Sequence, residues 1–281
     1  MRWAAGLLAL GLTVLAGCAG SSRVDGDAGE ARVMRDQLDV RANGDGYALS
    51  FLRSGTPGGR RIVFVHGTPG SATAWRHYLR QPPAGLDMIA VDRPGFGQTR
   101  PRRALVSLMG QAEALLPLMR PGAQGQRPIL VGHSLGGPII AKAALLAGEQ
   151  IGGLIVLAGS FDPALEKIHP AQYLGNAWPI RWLIGASLRH SNLELLALKP
   201  ELELLAGELM HLSLPITIVH GTKDRLVPYA NVGFLQTAVR GNGAVDLVRL
   251  EGEDHFIVWS KPETVRRAIA EMVDQLEKAG R

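Results

Sequence analysis

A serine near the middle of the chain lies in a setting that could make it a nucleophile. Ser134 is the centre of the pentapeptide GHSLG (132–136), which follows a short β-branched run and precedes an apolar segment. This order predicts a strand that turns sharply into a helix and presents the serine hydroxyl at the turn. Glycine at positions 132 and 136 fits, because so tight a turn leaves no room for Cβ atoms. Ser134 is therefore a candidate nucleophile.

A serine hydroxyl is a poor nucleophile unless a histidine base activates it and an acid orients that base. Two later segments carry suitable residues. The run PITIV (215–219) predicts a strand, and the loop after it contains Asp224. The run VDLVRL (245–250) predicts the next strand, and the loop after it contains His255. Asp224 is thus a candidate acid, and His255 is a candidate base.

Two other carboxylates are alternatives to Asp224 as the acid. Asp162 follows the strand predicted at 154–157, and a carboxylate there could also reach a histidine at the edge of the sheet. Asp254 directly precedes His255, but its side chain would point away from the histidine in an extended backbone. Asp224 is the preferred assignment because its loop, GTKDRLVP, is the stronger local match, and Asp162 stays open as the alternative.

With these motifs the chain resembles the α/β-hydrolase family over almost all of its length after the first few dozen residues. Residues 62–70 (IVFVHGTPG) are similar to the HGxPG oxyanion loop of that family, and residues 88–97 (MIAVDRPGFG) are similar to its structural strand and turn. The resemblance implies an α/β-hydrolase fold. This fold has a mostly parallel central sheet flanked by helices, with a helical cap inserted after the sixth strand.

The resemblance also implies an oxyanion hole, which is a pair of N–H groups that stabilise negative charge on the substrate oxygen. Pro69 has no N–H to donate. We therefore expect the donors to be the backbone N–H groups of Thr68 and Leu135. His66 and His133 lie within these motifs, where such residues more often brace loops than exchange protons.

The family order of nucleophile, acid and base is also the order of Ser134, Asp224 and His255 in this chain. Epoxide-hydrolase and haloalkane-dehalogenase relatives have aspartate at the nucleophile position, whereas serine there forms an acyl-enzyme. The resemblance therefore implies a serine hydrolase that cleaves an ester, thioester or lactone bond of a small, largely apolar substrate. We expect no cofactor, and the sequence contains no metal-binding motif.

The first residues of the chain resemble an export signal. A charged start is followed by an apolar run (3–15), too short to span a membrane, and then by LAGC, which ends at Cys18. We expect a signal peptide at 1–17. LAGC resembles the lipobox of bacterial lipoproteins, and Cys18 is the only cysteine, so we expect it to carry acyl chains, palmitate among them. By resemblance to enteric lipoproteins, Ala19 after the cysteine implies a place in the bacterial cell envelope on the outer membrane, with the protein facing the periplasm.

Composition divides the rest of the chain. Residues 18–32 are rich in Ser, Gly, Asp and Glu and predict a flexible tether. Residues 33–160 and 213–281 have the length and patterning of one α/β core. Residues 161–212 interrupt the strand–helix alternation with Leu, Ala and Trp at helical spacing, which predicts a helical cap. An apolar cap over the site implies an apolar part in the substrate.

The net charge of +5 could suggest a polyanionic partner. The basic residues are scattered, apart from the cluster RPRR (100–103), and no nucleic-acid motif accompanies them. We therefore expect a small-molecule substrate, no nucleic acid, and membrane contact through the lipid anchor at Cys18. The sequence leaves the oligomeric state open.

Three other functions remain possible from the sequence. Perhydrolysis without a cofactor, or C–C bond hydrolysis, would use the same triad. A lipase that acts on aggregated lipid is the second possibility. A non-catalytic envelope lipoprotein is the third, and the complete triad argues against it.

Overall fold

A computed structural model describes residues 22–24, 30–167, 185–241 and 243–280. Within these residues the chain forms one sheet of nine strands, with the order β1-β2-β3-β5-β4-β6-β7-β8-β9. The strands are β1 (Ser22–Val24), β2 (Val33–Ala42), β3 (Asp45–Gly55), β4 (Arg60–Val65), β5 (Leu86–Val91), β6 (Ile129–His133), β7 (Gly153–Leu157), β8 (Ile216–Gly221) and β9 (Val245–Leu250).

The sheet is mostly parallel. The pairs β1·β2, β2·β3 and β3·β5 are antiparallel, and every other neighbouring pair is parallel. Each residue of strands β5 to β8 is buried, which is typical of parallel strands covered on both faces. Parallel strands end at the same edge, so the loops after β4, β6, β8 and β9 are brought close together.

Helices cover both faces of the sheet. They are α1 (Arg76–Leu79), α2 (Leu108–Leu115), α3 (Gly136–Ala147), α4 (Ala186–Ala206), α5 (Ala230–Ala238), α6 (Ile257–Ser260) and α7 (Pro262–Lys278). Strand residues alternate between the faces: Val63 and Val65 pack with α2 to α5, and Ile62 and Phe64 pack with α1, α6 and α7. The fold is the α/β-hydrolase fold that the motifs predicted.

The structure differs from the sequence analysis at residues 22–24. These residues lie in the segment predicted as a tether (18–32), but they form β1 and pair with β2, with Arg23 opposite Met34. The pairing uses backbone groups at the edge of β2, so it requires no pattern of apolar side chains. The tether prediction is therefore wrong for these three residues.

A helical segment follows β7, which is the sixth strand counted from Val33. Its described part contains α4, within the predicted cap of 161–212. Residues 168–184, with Trp178 and Trp182, lie outside the described residues, as do Cys18 and the predicted signal peptide. Within the described ranges, no helix has the length and apolar character needed to cross a membrane.

Candidate active site

The turn between β6 and α3 holds Ser134 in a strained conformation. Its φ angle is 55°, in the left-handed region that side chains other than glycine rarely adopt. Its N–H donates to the carbonyl of Leu157 at 3.0 Å. A Cβ on Gly132 would lie 2.3 Å from the Gly136 carbonyl oxygen, and a Cβ on Gly136 would lie 2.3 Å from that of Val65. The expected need for glycine on both sides of the serine is confirmed.

The loops after β8 and β9 bring Asp224 and His255 together. His255 Nδ1 donates to Asp224 Oδ2 at 2.7 Å, and both side chains are buried. The other carboxylate oxygen, Oδ1, accepts from the N–H groups of Leu226 and Val227 at 2.9 and 2.8 Å. His220 Nε2 lies 3.4 Å from Oδ2. Asp224 therefore has partners on both oxygens.

These contacts determine the charge of Asp224. Burial alone would raise the pKa of this carboxyl group, but the close contact with His220 and the hydrogen bonds from His255 and the Val227 N–H outweigh burial and hold the pKa well below its usual range. The group is therefore an anion at neutral pH. It can orient the His255 ring and stabilise an imidazolium, and it leaves Nε2 of that ring to act as the base.

The competing carboxylates have other contacts. Asp162 Oδ1 accepts from the N–H of Ala164 at 2.9 Å, within the turn that follows β7. Asp254 Oδ1 accepts from the N–H of Phe256 at 2.8 Å. Each side chain thus caps its own turn. Of the three candidate acids, the structure brings Asp224 to His255.

His66 and His133 hold backbone groups, as expected for residues that brace loops. His66 Nδ1 donates to the Gly67 carbonyl at 2.7 Å, and its Nε2 accepts from the N–H of Arg93 at 3.2 Å. Burial and the neighbouring Arg93 lower the pKa of His66 well below 6.5. His133 Nε2 donates to the His255 carbonyl at 3.0 Å, and burial, with the charge of His255, lowers its pKa to about 3. Both rings are neutral at pH 7.

The loop after β4 passes directly against the serine. A Cβ on Gly67 would lie 2.7 Å from Ser134 Cβ and 3.3 Å from Oγ. The next residue is Thr68. In the described part of the chain, no hydrogen bond occupies the N–H of Thr68 or that of Leu135. Both predicted oxyanion donors are thus available in the segments that flank the serine hydroxyl.

A cavity of about 460 Å³ joins these groups. Ser134 and His255 line it together with Thr68 and Leu135. Its other walls are mostly apolar, and they include Trp75, Leu195, Leu198, Leu226, Val258 and Trp259. Two of these residues, Leu195 and Leu198, belong to α4, so the described part of the cap contributes to the cavity.

One acidic residue of the cavity was missed by the sequence analysis. Glu166 lies in the loop after β7, and its carboxylate accepts a hydrogen bond from Ser160 Oγ. Burial and nearby Asp162 raise the pKa of Glu166, although the bond from Ser160 opposes them. No local motif marks this position, because its role depends on how the loop folds over the cavity.

The described ranges contain no group of three or more His, Cys, Asp or Glu residues that could hold a metal ion.

Comparison with known proteins identifies the family. A model of the alpha/beta hydrolase family matches residues 62–268, more than half of the chain. The chain belongs to this family. It is 28% identical over 244 residues to the pimeloyl-[acyl-carrier protein] methyl ester esterase of Aeromonas salmonicida, covering 73% of this chain and 92% of that protein. It is 24% identical over 265 residues to the hydrolase YugF of Bacillus subtilis, covering 82% and 95%.

A solved structure shows the same fold. The 2-hydroxy-6-oxo-6-phenylhexa-2,4-dienoate hydrolase of Rhodococcus sp. strain RHA1 superposes with a TM-score of 0.64 at 19% identity, covering 85% of this chain and 99% of that one. The family match and the esterase relative make this protein a hydrolase enzyme of the alpha/beta hydrolase superfamily.

Proposed function

We propose that this hydrolase cleaves an ester, thioester or lactone bond of a small, largely apolar substrate through an acyl-enzyme. The observation that carries the proposal is the convergence of four loops, those after β4, β6, β8 and β9, at one edge of the sheet beside one cavity. Ser134 lies on a strained turn, the Asp224–His255 pair joined at 2.7 Å follows β8 and β9, and the Gly67 loop passes against the serine.

In this mechanism His255 Nε2 takes the hydroxyl proton while Ser134 Oγ attacks the carbonyl carbon. The negative charge that develops on the carbonyl oxygen is stabilised by the N–H groups of Thr68 and Leu135. The leaving group takes the proton from His255 and departs. His255 then activates water, which attacks the acyl-enzyme and releases the acid. Asp224 stays ionised and holds the ring in the required tautomer.

The cavity supports an uncharged substrate. Its volume of about 460 Å³ is within the usual range for small-molecule sites, about 300–1,000 Å³. Apolar walls favour an apolar acyl or alcohol group. Glu166 lies at the same cavity, and in its ionised form it repels a substrate anion and can accept a hydrogen bond from a hydroxyl group. Esters that carry a free carboxylate should therefore be poor substrates.

Replacement of the nucleophile tests the mechanism. We expect Ser134→Ala to lose at least about 10³-fold in kcat on p-nitrophenyl esters, with unchanged circular dichroism and Tm. A fluorophosphonate probe should label the wild type at Ser134. Ser191→Ala is the control, because Ser191 is a buried serine whose hydroxyl donates to the Ser187 carbonyl at 2.8 Å. Full activity in the folded Ser134→Ala variant would disprove the mechanism.

A substrate panel separates this function from the alternatives. It contains p-nitrophenyl esters of graded chain length, a mono-p-nitrophenyl dicarboxylate, lactones, hydrogen peroxide with a carboxylic acid, a C–C hydrolase substrate and a triglyceride emulsion. Preference for short uncharged esters or lactones supports the proposal. Preference for the emulsion or for C–C cleavage would identify a lipase or a C–C hydrolase instead.

We further propose that the enzyme is anchored in the bacterial cell envelope by acyl chains on Cys18. The support is in the sequence: LAGC follows a short apolar run, and the chain has one cysteine. Two or more acyl chains suffice for stable membrane attachment.

A further inference from the structure

A buried arginine holds the loop that carries one of the proposed oxyanion donors. Arg93 follows β5 and is 0% exposed. Its Nε donates to the His66 carbonyl at 2.9 Å, and one terminal nitrogen donates to the Gly67 carbonyl, also at 2.9 Å. The side chain therefore binds two successive carbonyl groups immediately before Thr68.

The second of these bonds bears directly on the oxyanion donor. The Gly67 carbonyl and the Thr68 N–H belong to the same peptide group, which is trans. Because a peptide group is planar, fixing the direction of its carbonyl also fixes the direction of its N–H, which points the opposite way. Arg93 shares this carbonyl with His66 Nδ1, which donates to it at 2.7 Å, and the two donors together fix the direction of the Thr68 N–H.

The position of Arg93 depends in turn on a residue of the cap. Glu194 lies on α4, is 2% exposed, and receives both terminal nitrogens of Arg93, at 2.6 and 3.2 Å. Gln111 Nε2 donates to Glu194 Oε1 at 3.0 Å. The pair is bidentate, which fixes the plane of the guanidinium as well as its location. Without Glu194 the guanidinium would be a buried charge with no carboxylate partner.

We propose that Glu194 is a positioning residue for ester hydrolysis. It acts through Arg93 to align the Thr68 N–H with the oxyanion. The position of α4 on the core thereby affects how well the transition state is stabilised. This inference rests on the proposed function, because it requires Thr68 to be an oxyanion donor.

The same helix segment offers a matched control. Lys142 on α3 binds Glu208, just beyond α4, through both carboxylate oxygens at 2.8 and 2.5 Å. This pair also joins the cap segment to the core, but among the described residues neither side chain hydrogen-bonds to the oxyanion loop. Loss of either pair removes a link between cap and core. Only loss of the Glu194 pair should change the direction of the Thr68 N–H.

The test compares Glu194→Gln with Glu208→Gln in the full chain. Removal of one oxyanion donor costs about 10²–10³-fold in kcat, so we expect misalignment in Glu194→Gln to cost about 10–10²-fold, with KM within about threefold. Affinity for a trifluoromethyl ketone, which forms an oxyanion adduct with the serine, should fall by the same factor. Affinity for the alcohol product, which forms no oxyanion, should stay constant. Glu208→Gln should change none of these values by more than about twofold.

Glu194→Asp tests whether the loss of kcat in Glu194→Gln comes from a folding defect. It keeps the buried negative charge, but it is one methylene shorter and cannot keep both oxygens on Arg93, so we expect an intermediate loss of kcat. If the folded variants at position 194 keep wild-type kcat and ketone affinity, or if product affinity falls as much as ketone affinity, the inference is wrong. If instead the wild type hydrolyses no ester and reacts with no fluorophosphonate, the proposed function itself fails.

Discussion

The Asp224→Asn substitution probes the assignment of the acid. Asn can keep its oxygen toward the N–H groups of Leu226 and Val227, which bind Asp224 Oδ1 at 2.9 and 2.8 Å. Its amide nitrogen then replaces the oxygen that accepts from His255 Nδ1. An amide N–H is a donor, so the ring must turn Nδ1 into an acceptor and carry its proton on Nε2. That tautomer cannot take the proton of Ser134.

The magnitude follows from the lost charge. Two unit charges about 4 Å apart, at an effective dielectric constant of about 20, attract by about 4 kcal/mol. That attraction stabilises the imidazolium formed in the transition state, and its loss lowers the rate by about 10³-fold. The tautomer change adds to this effect, so we expect a total loss in kcat of about 10³–10⁴-fold.

The assay is steady-state hydrolysis of a p-nitrophenyl ester, with Asp162→Asn as the matched control. The Asp162 carboxylate accepts from Ala164 in its own turn, so its variant should stay within about threefold of the wild-type kcat. Thermal unfolding checks that both variants fold. An Asp162→Asn enzyme slower than Asp224→Asn, or an Asp224→Asn enzyme with a tenth of wild-type activity, would refute the assignment.

Three other changes test separate parts of the molecule. Gly67→Ala places a Cβ 2.7 Å from Ser134 Cβ, and the displaced loop should lower kcat by about 10²-fold in a folded protein, as measured by ester hydrolysis. Because the His133 pKa is lowered to about 3, the unfolded chain binds a proton below about pH 6.5 that the folded protein does not. As the pH is lowered from 6 to 5, the free energy of unfolding should therefore fall by up to about 1.4 kcal/mol per pH unit. Urea titrations should show a smaller decrease for His133→Gln than for the wild type. Cys18→Ser should leave the precursor uncleaved by the lipoprotein pathway; an unmodified Cys18 at the mature N-terminus, found by mass spectrometry, would contradict the anchor.

The elements that hold the reacting groups could be predicted from local sequence. Glycine at 132 and 136 is required by contacts of 2.3 Å, and the strand predicted at 245–250 is β9 with the same bounds. The strand predicted at 215–219 runs instead from Ile216 to Gly221. Periodicity and turn residues are local properties, so they show in the sequence even where a boundary shifts by one or two residues.

Local sequence predicts the acid less firmly than it predicts these elements. Asp162 and Asp224 both follow parallel strands and reach the same edge of the sheet. What distinguishes them is which carboxylate is turned toward His255 and which caps its own turn, and this depends on tertiary structure. The Arg93–Glu194 pair joins residues 101 positions apart. No local spacing predicts such a contact, because the cap must fold over the core before the two side chains meet.

The neutral histidines have a consequence for the proposed base. His66 and His133 line the same cavity as His255, and a proton on either would place a second positive charge near the imidazolium that forms during attack by Ser134. Burial lowers the pKa of both residues, to about 3 for His133, while their N–H groups hold carbonyls of Gly67 and His255. They can therefore shape the site without opposing the charge on His255. For this reason neither bracing histidine should ionise near neutral pH, and His133→Gln should leave the shape of the kcat–pH profile between about pH 5 and 8 unchanged; a changed profile would show that His133 takes part in the reaction.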